Sequence, residues 1–170
     1  NYDILLVDNS ADSNYYEKIK FLGLLVLKDI RLEDIKERIT HSRNIIRKKV
    51  LEENYDYFLS LEQDVIPPKD IIERLLKHQK DIVSGVYYTI YRINGKKVTR
   101  PLLWAAVDND QEMRFMGTEA KDGLTNPKLV EIKAGGLGGI LISRKVLEKI
   151  EFRSTKETFD DIPFCLDAVK

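Results

Sequence analysis

The sequence predicts a mixed α/β domain in which a mostly parallel β-sheet is flanked by helices and carries a small antiparallel ribbon. In the first half, short apolar runs alternate with segments of helical period, an order typical of parallel sheets with right-handed crossovers. Residues 89–132 break that order with β-rich pieces separated by Asn-Gly and Asp-Gly turn signals. At 170 residues, without a linker or repeat, residues 1–170 are expected to form one domain.

In the first half, we predict strands where a short apolar run is bounded by turn residues, and helices where apolar residues recur every three to four positions. The predicted strands are Ile4–Val7, Leu24–Leu27, Tyr57–Leu61 and Asp81–Tyr88. The predicted helices are Asn14–Lys20, Leu32–Glu53 and Ile71–Lys77. Tyr57–Leu61 is apolar on both faces, which predicts an interior strand of a parallel sheet.

The second half is expected to begin with an antiparallel ribbon or flap and to return to helices near its end. Its β-rich pieces are Thr99–Val107, Arg114–Met116 and Leu129–Ile132. A glycine-rich and then apolar segment follows at Gly135–Ser143. Helices are predicted at Arg144–Ile150 and Ile162–Lys170, with a polar loop between them.

The composition excludes several classes of function. Lysine plus arginine (28) equals aspartate plus glutamate (28), so no net field favours nucleic acid or an anionic membrane. The single cysteine, Cys165, excludes an intramolecular disulfide and a cysteine-rich zinc site, and we expect it to be a small buried hydrophobe. His41 and His78 lack metal-ligand spacing and are expected at the surface. No run of eighteen apolar residues occurs, so we expect no integral membrane segment and a cytoplasmic or peripheral location.

The most informative motif is the pair Glu62 and Asp64, which follows the predicted strand Tyr57–Leu61. Carboxylates in this position lie at the C-terminal edge of a strand, where open α/β sheets place their ligands. Two of them one residue apart can share a hard divalent cation. The alternative is that both residues open a loop and that Asp64 caps the helix after Pro67-Pro68.

Five features in series carry a family resemblance. They are Val7-Asp8-Asn9-Ser10, Arg43-Asn44, Glu62-Gln63-Asp64-Val65, Gly135–Gly139 and Phe159-Asp160-Asp161-Ile162-Pro163-Phe164. In order and spacing the series resembles the GT-A fold of nucleotide-sugar glycosyltransferases and is most similar to the family 2 enzymes. The resemblance covers nearly the whole chain. It implies a Rossmann-like sheet, with a nucleotide-binding part at about residues 1–88 and an acceptor-side part at about 89–170.

The resemblance also implies roles for residues on the donor side. Asp8 and Asn9 match the acidic turn that contacts the nucleotide base or ribose. Arg43 and Asn44 match an arginine-asparagine pair that faces the nucleotide. The backbone of Gly135 and Gly136 lies where the family brings amides close to the donor sugar and the acceptor.

Further roles concern the metal and the base. Glu62-Gln63-Asp64 takes the place of the family's DxD motif, so that Asp64 would ligate Mn²⁺ or Mg²⁺ and Glu62 would face the metal, its water or the ribose. Asp160 and Asp161 match an acidic pair in which the second member is the general base. The cation would neutralise a leaving nucleoside diphosphate, and the base would take a proton from the acceptor hydroxyl. The resemblance therefore implies a metal-dependent, inverting transfer from a nucleotide-diphosphate sugar to a carbohydrate, lipid-linked or protein acceptor.

Several alternatives stay open. A retaining transferase of the same fold, a sugar-1-phosphate nucleotidyltransferase and a non-catalytic binding domain are the rival functions. Asp8 is also a normal turn residue, Arg43 also suits a solvated pair with Glu37, and Asp161 also suits a helix cap. Four aromatic residues suit either core and flap packing or a wall that stacks on a sugar or base, namely Trp104, Tyr87, Tyr88 and Tyr91.

The sequence departs from the family pattern in three respects. Glu62 replaces the first aspartate of the motif. The family's opening strand is absent before Asn1, and its C-terminal segment is absent after Lys170. We therefore expect that sequence is missing at one or both ends and that the 170-residue piece is inactive if those segments complete the site.

Overall fold

The computed structural model describes residues 1–107, 112–115 and 129–169, which form a mixed α/β arrangement. The strands are β1 Leu5–Asp8, β2 Leu25–Lys28, β3 Tyr57–Leu61, β4 Ile82–Ser84, β5 Tyr88–Ile93, β6 Lys96–Pro101, β7 Leu103–Val107, β8 Glu112–Phe115, β9 Ala134–Gly135 and β10 Gly139–Ser143. The helices are α1 Asn14–Phe21, α2 Ile35–Glu52, α3 Ile71–Leu76, α4 Arg144–Leu147 and α5 Asp161–Ala168. The predicted helices of the first half are confirmed to within three residues at each end.

The prediction of one mostly parallel, Rossmann-like sheet is wrong for the described residues. Their strands form four small sheets, ordered β1-β2, β3-β10-β4, β5-β6 and β8-β7-β9. The β1–β2 pair is parallel, and every other pairing between described strands is antiparallel. β3 and β4 run in the same direction, but β10 lies between them and pairs with both in the opposite direction.

The strand buried on both faces is β10 rather than β3. All five residues of β10 are buried, whereas Tyr57 and Leu61 at the ends of β3 are exposed. Ile140 and Ile142 face the main core, and Leu141 faces a smaller cluster under α3. The run Tyr57–Leu61 is therefore a strand, as predicted, but not an interior one.

The main core lies between β3, β10 and three helices. Its buried members are Val50, Phe58, Ala134, Leu137, Ile140, Ile142, Leu147, Phe152, Phe164 and Cys165. Phe152 is its centre, because it stacks on Phe164 with ring centroids 4.6 Å apart and meets the edge of Phe58 at 6.4 Å. The prediction that Cys165 is buried is confirmed, and burial raises the pKa of its thiol to about 11.

Helix α2 is the longest element, and its ends follow from local chemistry. Asp34 caps its start, since the carboxylate accepts hydrogen bonds from the backbone N–H groups of Lys36 and Glu37. This cap places the start of the helix after the predicted Leu32. Asn54, with a φ of 60°, follows the C-cap residue in the left-handed region that ends helices.

The predicted ribbon is present as the β5–β6 hairpin. Its two-residue turn is Asn94-Gly95, and both residues have positive φ, as a type I′ turn requires. The predicted strand Thr99–Val107 is instead divided at Leu102 between β6 and β7. Leu129–Ile132 is not a strand, and the predicted turn signals at 108–110 and 122–123 lie outside the described residues.

No helix in the described part of the chain is both long enough and apolar enough to cross a membrane.

Candidate functional site

Arg43 joins two acidic segments that are far apart in the sequence. Its Nη1 donates to Asp160 Oδ2 at 2.6 Å, and its Nη2 donates to Glu62 Oε1 at 3.0 Å. The side chain is only 9% exposed, and the guanidinium carbon lies 5.8 Å from the centroid of the Phe152 ring. The alternative of a solvated pair with Glu37 is therefore wrong, and the implied contact of Arg43 with a nucleotide stays a prediction.

Glu62 and Asp64 lie in a tight turn directly after β3. The backbone N–H of Val65 donates to the Glu62 carbonyl at 3.0 Å, and the Glu62 N–H donates to the Gly138 carbonyl at 3.3 Å. This turn leaves both side chains exposed, and that of Glu62 is 43% exposed. Asp64 does not cap the following helix, because α3 begins after Asp70.

Asp160 and Asp161 lie at the start of α5 and differ in their surroundings. Asp160 occupies the N-cap position without making a side-chain cap bond, and its carboxylate is 2% exposed and paired with Arg43. Asp161 is the first helical residue, and its Oδ1 accepts a hydrogen bond from the Ile162 N–H at 2.9 Å. Asp160, rather than Asp161, is therefore the N-cap residue of α5. Asp160 is buried, and Asp161 is only partly buried.

The glycine-rich segment packs closely against Tyr87. A methyl group added at Gly136 would lie 2.1 Å from Tyr87 Oη and 2.3 Å from Leu102 Cδ2. One added at Gly138 would lie 2.9 Å from both Tyr87 Oη and Glu62 Oε2. The Gly138 N–H also donates to Tyr87 Oη at 2.9 Å. Glycine is therefore required at both positions, because the Tyr87 hydroxyl approaches both and the second Glu62 oxygen approaches Gly138.

The described site holds more negative than positive charge. We call Glu62, Asp64, Asp160 and Asp161 the acidic cluster. Burial raises the pKa of Glu62, and the charges of Asp64 and Asp160 add to the rise while Arg43 opposes it. Burial also raises the pKa of Asp161, with the charge of Asp160 adding to the rise and the Ile162 N–H opposing it. Among the described residues, Arg43 supplies the ion pairs of this cluster.

The remaining donor-side candidates occupy separate places. Asp8, at the end of β1, is buried, and its Oδ1 accepts from the N–H and the hydroxyl of Ser10 while its Oδ2 accepts from Lys28 Nζ at 2.8 Å. Burial alone would raise the pKa of Asp8, but the bonds from Lys28 and Ser10 outweigh it and lower the pKa. Lys28 Nζ also donates to the carbonyls of Ser10 and Asp12. Asp8 is thus a saturated turn residue, and its contact with a base or ribose stays a prediction.

Asn9 belongs to a second network at the end of β2. Its amide donates to Ser42 Oγ at 3.0 Å, and the Ser42 hydroxyl donates to Asp29 Oδ2 at 2.6 Å. His41 Nδ1 lies 2.8 Å from the other Asp29 oxygen. The prediction that His41 lies at the surface is confirmed, since its side chain is 45% exposed, and its ring pairs there with the buried carboxylate of Asp29.

Asn44 has a packing role. Its Nδ2 donates to the Phe152 carbonyl at 2.8 Å, and its Oδ1 accepts from the Phe152 N–H at 3.0 Å. The side chain therefore fixes the backbone of the central core residue. Its implied contact with a nucleotide stays a prediction.

Sequence reasoning missed the partners that define these sites. Lys28 and Asp29 directly follow the apolar run of β2, as Asp8 follows that of β1, so the same end-of-strand signal would have found them. No local signal links Tyr87 to Gly138, because the two residues are 51 positions apart.

The implied Mn²⁺ or Mg²⁺ site at Glu62 and Asp64 stays a prediction. No group of three or more histidine, cysteine, aspartate or glutamate side chains suited to a metal occurs among the described residues. Mg²⁺, however, is commonly bound through one or two carboxylates together with water and substrate phosphates. Arg43 contacts only the Oε1 atom of Glu62, so the second oxygen of Glu62 and the exposed Asp64 stay the predicted ligands.

Comparison with known proteins supports the fold class alone. The chain is similar to the crystal structure of A197 from STIV, with a TM-score of 0.50 and 16% sequence identity over 97% of this chain and 76% of that chain. No protein-family model matches the sequence. No curated protein matches it either. At this identity, the likeness indicates a shared mixed α/β fold and carries no statement about activity.

Proposed function

We propose that this chain is a glycosyltransferase domain of the GT-A type, which transfers a sugar from a nucleotide-diphosphate donor to an acceptor hydroxyl with inversion. The observation that carries the proposal is the joining of the Glu62–Asp64 turn to the Asp160–Asp161 pair through one guanidinium. A transferase needs a cation site for the leaving diphosphate beside a carboxylate that can accept a proton. The two segments supply candidates for both needs.

Asp64 and Glu62 would hold Mn²⁺ or Mg²⁺, which supplies charge neutralisation of the leaving diphosphate when it is bound. Asp64 is exposed in its turn and so can reach a phosphate-bound cation without rearrangement of the core. The excess of negative charge in the acidic cluster favours such binding, because a divalent cation would stabilise the ionised forms of Glu62 and Asp64.

Asp161 is the proposed general base. Its carboxyl pKa is raised above the ordinary value by burial, which brings its basicity closer to that required at neutral pH. Tyr87 and Tyr91 lie close enough to Asp161 for its charge to raise the pKa of both phenols. A tyrosine ring can cover the apolar C–H face of a sugar. A carboxylate beside the ring could then reach one of the sugar hydroxyls.

The test is a thermal-shift titration of the chain with UDP, GDP and CDP, each with and without Mn²⁺. A ligand that binds only the native state raises the melting temperature. We expect a shift that requires both one nucleotide and the metal. Asp64→Asn should abolish this shift, whereas the matched control Asp70→Asn, another exposed aspartate at the next helix start, should retain it.

Donors and products then separate the activities. With the matching nucleotide-sugar, Asp161→Asn should keep the metal-dependent shift and lose transfer. Loss of both in Asp161→Asn would assign Asp161 to the nucleotide site instead. The absence of a metal-dependent shift with all three nucleotides in the wild-type chain would contradict the proposed function of this chain.

A further inference from the structure

Arg43 connects two segments that the proposed reaction requires to act together. Glu62 is 19 positions and Asp160 is 117 positions from Arg43 in the sequence, yet one side chain contacts both. The contact with Asp160 is short, at 2.6 Å, and both partners are almost completely buried. The contact with Glu62 reaches a carboxylate whose side chain is 43% exposed.

We propose that Arg43 is a positioning residue that fixes the Glu62–Val65 turn relative to the Asp160–Asp161 corner, so that binding of a cation and nucleotide at the turn acts on Asp161. The inference rests on the proposed function and adds a coupling that the function alone does not require. It also gives Arg43 a different role from the nucleotide contact that the sequence resemblance implies.

The geometry of arginine suits this role. A guanidinium is planar and presents its donors in a fixed fork, so that the position of one acceptor constrains the position of the other. A lysine ammonium on a flexible stem keeps the charge but loses this fork. The Phe152 ring lies beside the guanidinium, and Phe152 is itself held by Asn44 of the same helix. The guanidinium of Arg43 therefore lies between the Phe152 ring and its two carboxylate acceptors.

The charges indicate how binding would be transmitted. Glu62 accepts the Arg43 hydrogen bond at Oε1, and its Oε2 atom is the one available to a cation. Glu62 and Asp64 would hold the cation, whose positive charge would weaken the attraction between the Glu62 carboxylate and Arg43. The guanidinium then interacts more strongly with Asp160, which is adjacent to Asp161 at the start of α5. Binding at the turn thus alters the environment of the proposed base.

Backbone amide chemical shifts measure this transmission without requiring turnover. We would record ¹H–¹⁵N spectra of the wild-type chain during titration with Mg²⁺ and each of UDP, GDP and CDP. The amides of residues 62–65 report binding at the turn, and those of residues 160–162 report the response at the base. We expect both groups to shift together in the wild-type chain.

Arg43→Lys is the decisive variant, and Arg47→Lys is its matched control. Arg47 lies one turn further along α2, is mostly buried, and donates to the carbonyls of Leu147 and Ile150 outside the acidic cluster. In Arg43→Lys, the shifts at 62–65 should persist and those at 160–162 should be lost. In Arg47→Lys both should persist. Once the donor is known, Arg43→Lys should lower kcat with little change in donor KM, a division that a purely structural defect would not produce.

Each other outcome has a definite meaning. If wild-type residues 160–162 do not respond while 62–65 do, or if their response survives in Arg43→Lys, the coupling through Arg43 is wrong and the proposed function stands. If residues 62–65 respond to none of the three pairs, the proposed function fails and this inference fails with it. Should Arg43→Lys not fold, Asp160→Asn replaces it, because it keeps the shape of the contact but removes its charge and should weaken the same response.

Discussion

Two groups of carboxylates differ in their hydrogen-bond partners. One group lies at the ends of β1 and β2, and the other is the acidic cluster. Asp8 and Asp29 are surrounded by local donors: Asp8 is bound by Lys28 and Ser10, and Asp29 by Ser42, His41 and the Ile30 N–H. The acidic cluster instead shares Arg43 among several carboxylates. The first region has a partner for each carboxylate oxygen, whereas burial in the second raises the pKa of Glu62 and Asp161 and so favours their protonated forms.

The pKa directions express the same contrast. The pKa of Asp8 is lowered because hydrogen bonds outweigh burial, whereas the pKa values of Glu62 and Asp161 are raised because burial outweighs Arg43. A perturbed pKa alone does not indicate function, since structural ion pairs also perturb pKa values. The sign of the pKa shift, together with the contacts, separates the fully hydrogen-bonded carboxylate of Asp8 from those of Glu62 and Asp161.

The largest expected effect is that of Arg43→Met, which tests whether Arg43 holds the acidic cluster together. Removal of the guanidinium leaves Asp160 buried and without its counter-charge, and loss of one member of a buried pair costs about 3–5 kcal/mol. Urea denaturation at neutral pH measures the loss. Arg47→Met is the control, because its carboxylate partner Glu151 is 75% exposed. If Arg43→Met and Arg47→Met lost the same free energy of unfolding, Arg43 would stabilise the fold no more than an arginine outside the acidic cluster.

Lys28→Met tests the saturated region and should have the next largest effect. It removes the charged donor to Asp8 but leaves both Ser10 bonds, so we expect a loss of about 1–3 kcal/mol. A lowered folded pKa means that the pair stabilises the protein above the ordinary carboxyl value of 3.8 and that this stabilisation is lost as the pH falls through the lower folded value. The difference between wild type and variant should therefore shrink on acidification. A difference that grows at low pH would contradict the assignment.

Asp161→Asn should change stability in the opposite direction. A carboxyl whose folded pKa is raised binds protons more readily in the native state, so its ionisation lowers stability as the pH rises from the ordinary value through the raised one. The substituted amide does not ionise and can keep the acceptor oxygen for the Ile162 N–H. We expect a gain on the order of 1 kcal/mol at neutral pH, or about 2–4 °C in Tm, that disappears toward pH 4. Thermal melts across that pH range measure it, and a loss of stability at neutral pH would show that the charge of Asp161 is compensated.

The smallest effect is expected at Lys145, which sets the baseline for the contrast. Lys145 Nζ pairs with Asp81 at 2.8 Å, but the two side chains are 68% and 51% exposed. Exposed pairs contribute about 0–1 kcal/mol and are screened by salt. Lys145→Gln should therefore give the smallest change in the free energy of unfolding among these variants, measured in urea at about 0.15 M salt. If Lys145→Gln lost as much free energy of unfolding as Lys28→Met, the exposed Lys145–Asp81 pair would be as stabilising as the more buried Lys28–Asp8 pair.

The sequence predicted elements better than it predicted their arrangement. A helical period, a short apolar run and an Asn-Gly turn are each formed by residues that are close in sequence. The sequence therefore predicted α2, β3 and the Asn94-Gly95 hairpin. The direction of a strand depends on its partner, and the partner of β3 is β10, about 80 positions along the chain. The apolar run of β3 contains no information about that direction, so the parallel prediction failed.

The candidate site shows the same limit. Glu62, Asp160 and Asp161 were selected from acidic motifs at the ends of elements, and the structure brings them to one place through Arg43. The sequence did not reveal that Arg43 would be buried between them, because ion pairing across 117 positions leaves no local pattern. Asn44 was selected beside Arg43, but its amide reaches the Phe152 backbone because adjacent helical residues point in different directions.

Helix α2 has a consequence for the synthesis of the protein. Four of its side chains bind groups that lie 100–120 positions later in the chain, namely Lys36, Arg43, Asn44 and Arg47. At a ribosomal rate of about 5–20 residues per second, those partners emerge roughly 5–25 s after the helix itself. During that interval the helix can pack against β1 and β3, which are made before it or soon after it. The arrival of residues 147–160 then sets the time at which Arg43, Asn44 and Arg47 can complete their contacts.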